Sequence, residues 1–303
     1  MKVLIVASGN VNYISPFVLD QVNALKKRGV KIDFFLIRGK GIFGYIKNYK
    51  LLLEKIKIFE PNLVHAHYGL SGLFSSLQKK IPVVTTFHGS DINMNKIRFF
   101  SKIADFMSSK SIFVSYDLAR KLKKKESIII PCGVNLDMFY PVDKNDARRK
   151  LGIALDKKYV LFSSNFDNTV KNYPLAKESI SNLKDDNVEL IQLKGYDRNE
   201  VALLMNAVDA VLMTSFTEGS PQFIKEAMAC NTPIISVSVG DVKGIIKDTD
   251  GCYLVKRDSH AISYKILEAF KFNGRTNGRK NIKHFDNELI AEKIINVYYS
   301  ILN

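Results

Sequence analysis

Short apolar runs alternate with amphipathic stretches along the first half of the chain. Residues 3–7 form an apolar run, and residues 17–27 carry apolar side chains at helical spacing before Gly29, a typical helix stop. Further strands are predicted over residues 31–37, 63–66 and 82–86, and a further helix over residues 51–59. Strands separated by helices are typical of parallel βαβ units. The first half is therefore predicted to form a parallel α/β domain.

The same alternation restarts after residue 158. Strands are predicted over residues 159–163, 188–193, 210–213 and 233–237, and helices over residues 174–183, 201–207 and 221–229. Residues 140–158 carry Pro141, many charges and no strand pattern, so we place a domain boundary near residue 150. The prediction is one Rossmann-like domain over residues 1–150, a second over residues 151–286, and a C-terminal helix over residues 287–303 that packs across both.

The composition is that of a globular protein with room for two hydrophobic cores. Of the 303 residues, 46% are hydrophobic. No apolar run approaches the roughly 20 residues that span a membrane, and the first apolar run is too short for a signal peptide. We therefore expect a cytosolic protein. Cys132, Cys230 and Cys252 lack metal-ligand spacing and are expected to be reduced core thiols.

A net charge of +15 favours anionic partners. Basic residues cluster over residues 120–125, and Lys96, Arg98 and Lys102 alternate with aromatic side chains. Docking on the anionic inner face of the cell membrane would explain this pattern, and so would a solvated helix face. Nucleic-acid binding is motivated by charge alone, without a recognition element, and is not expected.

The most informative segment is residues 214–229, with the sequence T-S-F-T-E-G-S-P-Q-F-I-K-E-A-M-A. It places Glu218 and Glu226 eight positions apart, where a predicted strand gives way to a predicted helix. Gly219 allows a ligand to approach the backbone closely, and free amides at a helix N-terminus bind phosphate. A carboxylate two turns along that helix can accept hydrogen bonds from vicinal hydroxyls, such as those of ribose. The spacing alone fits a helix cap and a surface glutamate equally well.

The full string resembles the E-x7-E motif of retaining glycosyltransferases of family 4, which have the GT-B fold. That fold consists of two facing Rossmann-like domains with parallel sheets and an inter-domain cleft. Residues 207–212, 231–236 and 239–242 also resemble the family. The resemblance implies that Glu218 contacts the donor sugar and Glu226 the ribose, while Gly219, Ser220 and Pro221 lie at the diphosphate.

A second string, T-T-F-H-G-S-D over residues 85–91, resembles the H-G-x-D element of the same family. In the predicted cleft, His88 would donate a hydrogen bond to a sugar hydroxyl or stabilise developing charge. Asp91 is expected to order this loop or to cap the next helix. His65 and His67 share one strand face and could bind a metal, but no third ligand has suitable spacing, so packing is expected for His65.

Loops after other predicted strands supply the remaining donor-binding candidates. Gly9 and Asn10 follow the first strand, where the family has a glycine-rich turn, although a plain turn fits as well. Gly195 and Tyr196 could receive the nucleotide base or form an ordinary turn. The remaining candidate in this group, Lys171, matches a family lysine that neutralises the leaving diphosphate; a surface lysine is the alternative.

The family arginine that accompanies this lysine is missing. Ser164 and Asn165 occupy its neighbourhood and could hydrogen-bond phosphate, or Lys243 could substitute for it. Because of this departure from the family pattern, the sequence does not identify all the groups that neutralise the leaving diphosphate.

The resemblance implies a retaining transferase that moves a sugar from a UDP- or GDP-sugar to a glycan or lipid-linked acceptor hydroxyl, without a bound metal or other cofactor. The expected role is the synthesis of cell-surface polysaccharide or glycolipid. A non-catalytic nucleotide-sugar binder and a sugar-nucleotide epimerase remain as alternatives. The missing arginine favours the binder, and the E-x7-E string argues against the epimerase.

Overall fold

The computed structural model describes residues 1–9, 14–39, 41–124, 126–272 and 274–303. The chain forms two compact units, Met1–Gly133 with Asn287–Asn303, and Val134–Asp286. Every strand pair in both sheets is parallel. The predicted α/β class with two parallel sheets is therefore confirmed.

The first unit contains a six-stranded sheet in the order β2-β1-β3-β4-β5-β6. Its strands are β1 (Lys2–Ser8), β2 (Lys31–Ile37), β3 (Leu63–His67), β4 (Val83–Phe87), β5 (Lys110–Phe113) and β6 (Ile128–Ile129). Its first helices are α1 (Pro16–Lys27), α2 (Gly41–Phe59), α3 (Gly69–Ser76), α4 (Ser90–Asn93), α5 (Asn95–Met107) and α6 (Tyr116–Lys121). Strands β3 and β4 are buried along their whole length, because helices cover both faces of a parallel sheet.

The second unit contains a five-stranded sheet in the order β11-β10-β9-β7-β8. Its strands are β7 (Lys158–Phe162), β8 (Val188–Gln192), β9 (Ala210–Met213), β10 (Ile234–Val237) and β11 (Cys252–Val255). Its helices are α7 (Lys144–Leu151), α8 (Tyr173–Ser181), α9 (Arg198–Ala207), α10 (Gln222–Ala229), α11 (Val242–Ile245), α12 (Ser259–Phe272) and α13 (Gly278–Asn281), with 3-10 turns at Thr169–Lys171 and Lys283–Phe285.

The chain returns to the first unit through its last helix, α14 (Asn287–Leu302). Its apolar side packs on the core that α1 and β1 share, with Ile290 and Ile294 in the same buried cluster as Val18 and Val22. The amphipathic pattern predicted this helix to within one residue of its observed end. Its predicted packing across both domains stays a prediction.

The contacts divide the chain at Gly133 rather than near residue 150. Helix α7 belongs to the second unit because Arg148, although it lies in a charged stretch, is buried. Its guanidinium donates to the carbonyl of Ala207 and to Oδ2 of Asp209, both at 2.8 Å. The run of charges that suggested a linker therefore includes a buried ion pair.

Candidate functional site

The candidate donor-binding residues of the second unit follow its strands at one edge of the sheet. Parallel strands present all their carboxyl ends at the same edge, and ligands bind there where the strand order reverses. In this sheet the reversal lies at β7, which pairs with β8 on one side and with β9 on the other. Lys171 follows β7 and Glu218 follows β9, so both lie at that point.

Lys171 and Glu218 form an ion pair, with Nζ 2.6 Å from Oε1. Two hydrogen bonds join the loop after β7 to the loop after β9. The hydroxyl of Thr214 donates to the carbonyl of Lys171 at 2.8 Å, and the amide of Phe216 donates to the carbonyl of Val170 at 2.9 Å. The side chain of Lys171 is only 20% exposed, which is low for a lysine that serves merely as surface charge. When an anionic ligand binds beside such an ion pair, the ammonium can leave the carboxylate and pair with the ligand.

Glu226 forms a second ion pair, with Arg198 at the start of α9. Arg198 Nη1 lies 2.6 Å from Oε1 of Glu226, and the carboxylate side chain is nearly buried. The guanidinium also lies over the ring of Phe139, 4.8 Å from its centroid. Arg198 was not among the residues predicted from the sequence. The available signal was the capping box of Asp197 and Glu200, which starts α9 and so places Arg198 on its first turn.

A buried polar network underlies the segment between these two glutamates. Lys225 donates to the hydroxyl of Ser220 at 2.6 Å, and that hydroxyl donates to Oδ2 of Asp241 at 2.5 Å. The turn before Asp241 touches the same segment, because a Cβ at Gly240 (φ +55°) would lie 2.5 Å from the carbonyl oxygen of Gly219. No role for Lys225 was predicted from the sequence.

The other predicted donor residues of this unit lie in neighbouring loops. Ser164 Oγ accepts from Asn168 Nδ2 at 3.3 Å, and Oδ1 of Asn165 is buried without a hydrogen-bond partner among the described residues. Gly195 adopts a φ of +86°, and Tyr196 next to it is exposed. Two further positions were expected to serve the diphosphate: Pro221 directly precedes α10, and Lys243 is exposed on α11.

His88 follows β4 in the first unit, and both of its ring nitrogens face protein groups. Nε2 lies 2.9 Å from Nδ1 of His67, and Nδ1 lies 3.6 Å from the sulfur of Cys132. Burial lowers the pKa of His67 to about 3, so that ring is neutral at physiological pH. The thiol contact is the weaker of the two, which makes Nδ1 the nitrogen that a ligand can take over more easily.

His65 and Asp91 have the structural roles that were predicted for them. His65 is buried between the hydroxyls of Tyr298 and Thr86, at 2.6 and 2.7 Å. Asp91 orders the loop after β4 by accepting the amide of Gly89 at 2.8 Å and that of His88 at 3.2 Å. Burial raises the pKa of the Asp91 carboxyl, although these amide hydrogen bonds act in the opposite direction. Within the described chain, no group of three or more His, Cys, Asp or Glu side chains is placed to hold a metal ion.

Gly9 follows the first strand and lies in close contact with the second. Its amide donates to the carbonyl of Ile37 at 2.8 Å, and a Cβ at Gly9 would lie 2.8 Å from Cβ of Leu36. A glycine is therefore required here by the packing of the two strands. The predicted donor residue Asn10 lies outside the described residues.

Two family models match the chain. Residues 14–138 match the model described as Glycosyltransferase Family 4, and residues 157–271 match the model described as Glycosyl transferases group 1. A putative teichuronic acid biosynthesis glycosyltransferase of Bacillus subtilis is 26% identical over 68% of this chain and 60% of its own length. An N,N'-diacetylbacillosaminyl-diphospho-undecaprenol alpha-1,3-N-acetylgalactosaminyltransferase of Campylobacter jejuni is 23% identical over 86% of this chain and 82% of its own.

Solved structures with the same fold cover almost the whole chain. Sucrose-phosphate synthase from Thermosynechococcus elongatus aligns with a TM-score of 0.84 at 19% identity, over 99% of this chain and 98% of that one. Anabaena HepE in complex with UDP and glucose aligns with a TM-score of 0.77 at 16% identity, over 99% of this chain and all of that one. Together with the two parallel-sheet units, these matches confirm the predicted GT-B fold class. No helix in the described ranges combines the length and the apolar character of a membrane span.

Proposed function

The chain belongs to glycosyltransferase family 4, and from that premise we propose that it moves a hexosyl unit from a UDP- or GDP-sugar to an acceptor hydroxyl, with retention of anomeric configuration. The observation that carries the proposal is the pair of glutamates at one edge of the second sheet, each held by a cation. Glu218 serves the transferred sugar and Glu226 the ribose. HepE, of the same fold, binds UDP and glucose, which supports a uridine donor.

We assign the neutralisation of the leaving diphosphate to Lys171. The anomeric carbon and the first phosphate of a nucleotide sugar are joined through one oxygen, so ligands for the sugar and the phosphate must be neighbours. The 2.6 Å pair of Glu218 and Lys171 meets that requirement. On donor binding, the ammonium turns from the carboxylate to the phosphate, and the carboxylate becomes available to sugar hydroxyls.

The proposed chemical step is attack on the face from which the diphosphate leaves. The acceptor oxygen forms a bond to the anomeric carbon while the bond from that carbon to the phosphate oxygen breaks. The electron pair of the broken bond goes to the diphosphate, and the acceptor proton passes to a phosphate oxygen. Glu218 and His88 orient the sugar and stabilise charge, without a covalent glycosyl-enzyme intermediate.

We propose that protein cations supply the counter-charge for this step and that a metal ion is not required. Lys171 supports this, since a positive charge close to the diphosphate stabilises the departing group. Transfer should then proceed at the same rate in excess chelator. A rate that falls on chelation and returns with a divalent cation would contradict metal independence alone.

The acceptor side is proposed to work at an anionic membrane surface, in the assembly of cell-surface polysaccharide or glycolipid. Helix α5 supports this, because Phe99 and Phe106 are 64% and 89% exposed beside the exposed Lys96 and Lys102. Relatives named for teichuronic acid synthesis and for an undecaprenol-linked acceptor agree with such a substrate.

Vesicle sedimentation tests this surface. Phosphatidylglycerol vesicles should bind the protein and phosphatidylcholine vesicles should not, and Phe99→Ser with Phe106→Ser should abolish the binding. Replacement of two exposed residues of α12, Tyr264→Ser with Leu267→Ser, is the matched control and should leave it intact. Equal binding of both vesicle types, or no binding, would contradict the membrane proposal.

Nucleotide release from a panel of UDP- and GDP-sugars tests the transferase itself. The native protein should release UDP or GDP from one donor, and Glu218→Ala should lose that release. Tight donor binding without turnover would instead favour a non-catalytic binder. The configuration of the first-formed sugar, observed by NMR when water acts as acceptor, tests retention; an inverted product would contradict that part.

A further inference from the structure

We propose that Lys225 is a positioning residue, and that its buried ammonium holds the diphosphate-binding segment of residues 218–221 in place through Ser220 and Asp241. The inference rests on the proposed function and deepens it. Lys225 has no solvent exposure, although lysines are almost never fully buried unless paired. It lies on α10 directly before Glu226, so the helix that presents the ribose ligand also carries this ammonium.

The hydroxyl of Ser220 connects the two charges. It accepts from Lys225 at 2.6 Å and donates its only hydrogen to Asp241. The hydroxyl therefore has no hydrogen left to donate to a phosphate, so Ser220 can donate to the ligand only through its backbone amide. The network fixes the orientation of Ser220, and with it the direction of that amide.

Asp241 is committed to this network instead of its own helix. It occupies the N-cap position of α11, where an aspartate usually accepts a backbone amide, yet its side chain makes no such cap. The contact of Gly240 with Gly219 brings the two loops together on the same side. Nζ of Lys225 also lies over the ring of Phe285, 5.1 Å from its centroid, so an aromatic face covers another side of the ammonium.

The charge balance gives the proposal a specific consequence. Lys225 and Asp241 together are neutral, so they add no net charge beside a diphosphate. Removal of the lysine alone leaves the Asp241 carboxylate poorly solvated and unneutralised beside the diphosphate-binding segment. This carboxylate should then repel the diphosphate. Removal of both charges should restore part of the affinity, because the repulsion disappears while only the alignment is lost.

Affinities for nucleoside diphosphates and nucleosides separate this role from simple loss of stability. We would titrate UDP, GDP, uridine and guanosine into the native protein, Lys225→Met, Asp241→Asn and the double variant. Lys225→Met should weaken diphosphate binding by about tenfold, a change of about 1.4 kcal/mol. It should leave nucleoside binding unchanged, and the double variant should bind more tightly than Lys225→Met.

The outcomes distinguish failure of the proposed transferase function from failure of the positioning role of Lys225. Native protein that binds none of the four ligands would refute the proposed function and this inference with it. Native binding with an unchanged ratio of diphosphate to nucleoside affinity in Lys225→Met would refute only the positioning role. If Lys225→Met does not fold, the double variant decides: a ratio of diphosphate to nucleoside affinity below the native one supports the proposal, because the alignment is lost, and an unchanged ratio overturns it.

Discussion

Nζ of Lys171 lies 2.6 Å from Oε1 of Glu218, across the point where the strand order of the second sheet reverses. The proposed phosphate ligand and the proposed sugar ligand thus form one ion pair. Such a pair keeps each group desolvated and oriented before substrate arrives, and no separate loop ordering is then needed to assemble it. In the proposed mechanism, Lys171 of this pair is the cation that meets the diphosphate, since the family arginine is missing.

Replacement of Lys171 should impair catalysis more than binding of the nucleoside part. Lys171→Met removes the cation that meets charge as it develops on the leaving group, so kcat/KM for the donor should fall by about 100-fold. Steady-state rates of nucleotide release measure this. Lys177→Met, an exposed lysine on α8, is the control and should keep the native rate. Equal rates in both variants would remove Lys171 from the site.

Replacement of Glu226 should abolish discrimination between ribose and deoxyribose. The native protein should prefer UDP or GDP to the 2′-deoxy nucleotide by about tenfold to 100-fold, since a hydrogen bond to a charged group contributes about 1.5–3 kcal/mol. In Glu226→Ala the two nucleotides should bind equally well. Calorimetric titration gives the ratio, with Glu189→Gln, at an exposed position of β8, as the control. A preference that persists in Glu226→Ala would assign the ribose to another residue.

Alanine variants of Gly240 and Gly152 test whether the contact of Gly240 with Gly219, in the diphosphate-binding segment, shapes the site. Both have positive φ, but only a Cβ at Gly240 would meet backbone, at the carbonyl oxygen of Gly219; at Gly152 nothing lies within 4 Å. Each alanine variant should lose about 1 kcal/mol of stability from its backbone conformation. Gly240→Ala should also weaken diphosphate binding, because the neighbouring loop must move. Equal nucleotide affinity in the two variants would show that this contact does not shape the site.

The first unit should lose stability in mild acid because of its buried histidines. An unfolded histidine takes up a proton below about pH 6.5, whereas burial lowers the pKa of His67 to about 3 and that of His65 well below its usual value. The unfolded state therefore binds more protons as pH falls below 6.5, and each of these residues should cost about 1.4 kcal/mol per pH unit.

Denaturant unfolding between pH 7 and pH 5 measures that slope. His67→Gln should make it shallower by about 1 kcal/mol per pH unit averaged over this range, whatever the variant costs at pH 7, because the full 1.4 kcal/mol per unit is reached only well below about pH 6.5. His260→Gln replaces an exposed histidine and should leave the slope unchanged. A slope that is the same in all three proteins would mean that His67 is already protonated in the folded state.

The pattern of apolar runs predicted most of the strands in the two sheets. Strands such as Lys31–Ile37 and Ala210–Met213 have the bounds expected from this pattern. Buried parallel strands are continuous apolar runs, and their helices carry a clear period. The two-residue strand Ile128–Ile129 is too short to produce such a signal, and helix α7 was missed because its charges resemble those of a linker.

The site was predictable only as far as a local string can reveal it. Glu218 and Glu226 belong to one motif, whereas the cations that pair with them, Lys171 and Arg198, come from other βα units. Arg198 and Lys225 carry side chains that usually face solvent, so the sequence gives no reason to place them in a buried network. Their partners are set by the packing of separate βα units, which only the fold determines.

The most direct test of the central claim is a crystal structure of the protein with the nucleoside diphosphate that it binds most tightly. We expect the ribose hydroxyls within hydrogen-bond distance of the Glu226 carboxylate, and the diphosphate against the amides near Gly219 with Lys171 turned toward it. Glu218 would then face the space beyond the terminal phosphate. A nucleotide bound elsewhere, or one whose ribose has no contact with Glu226, would contradict the claim.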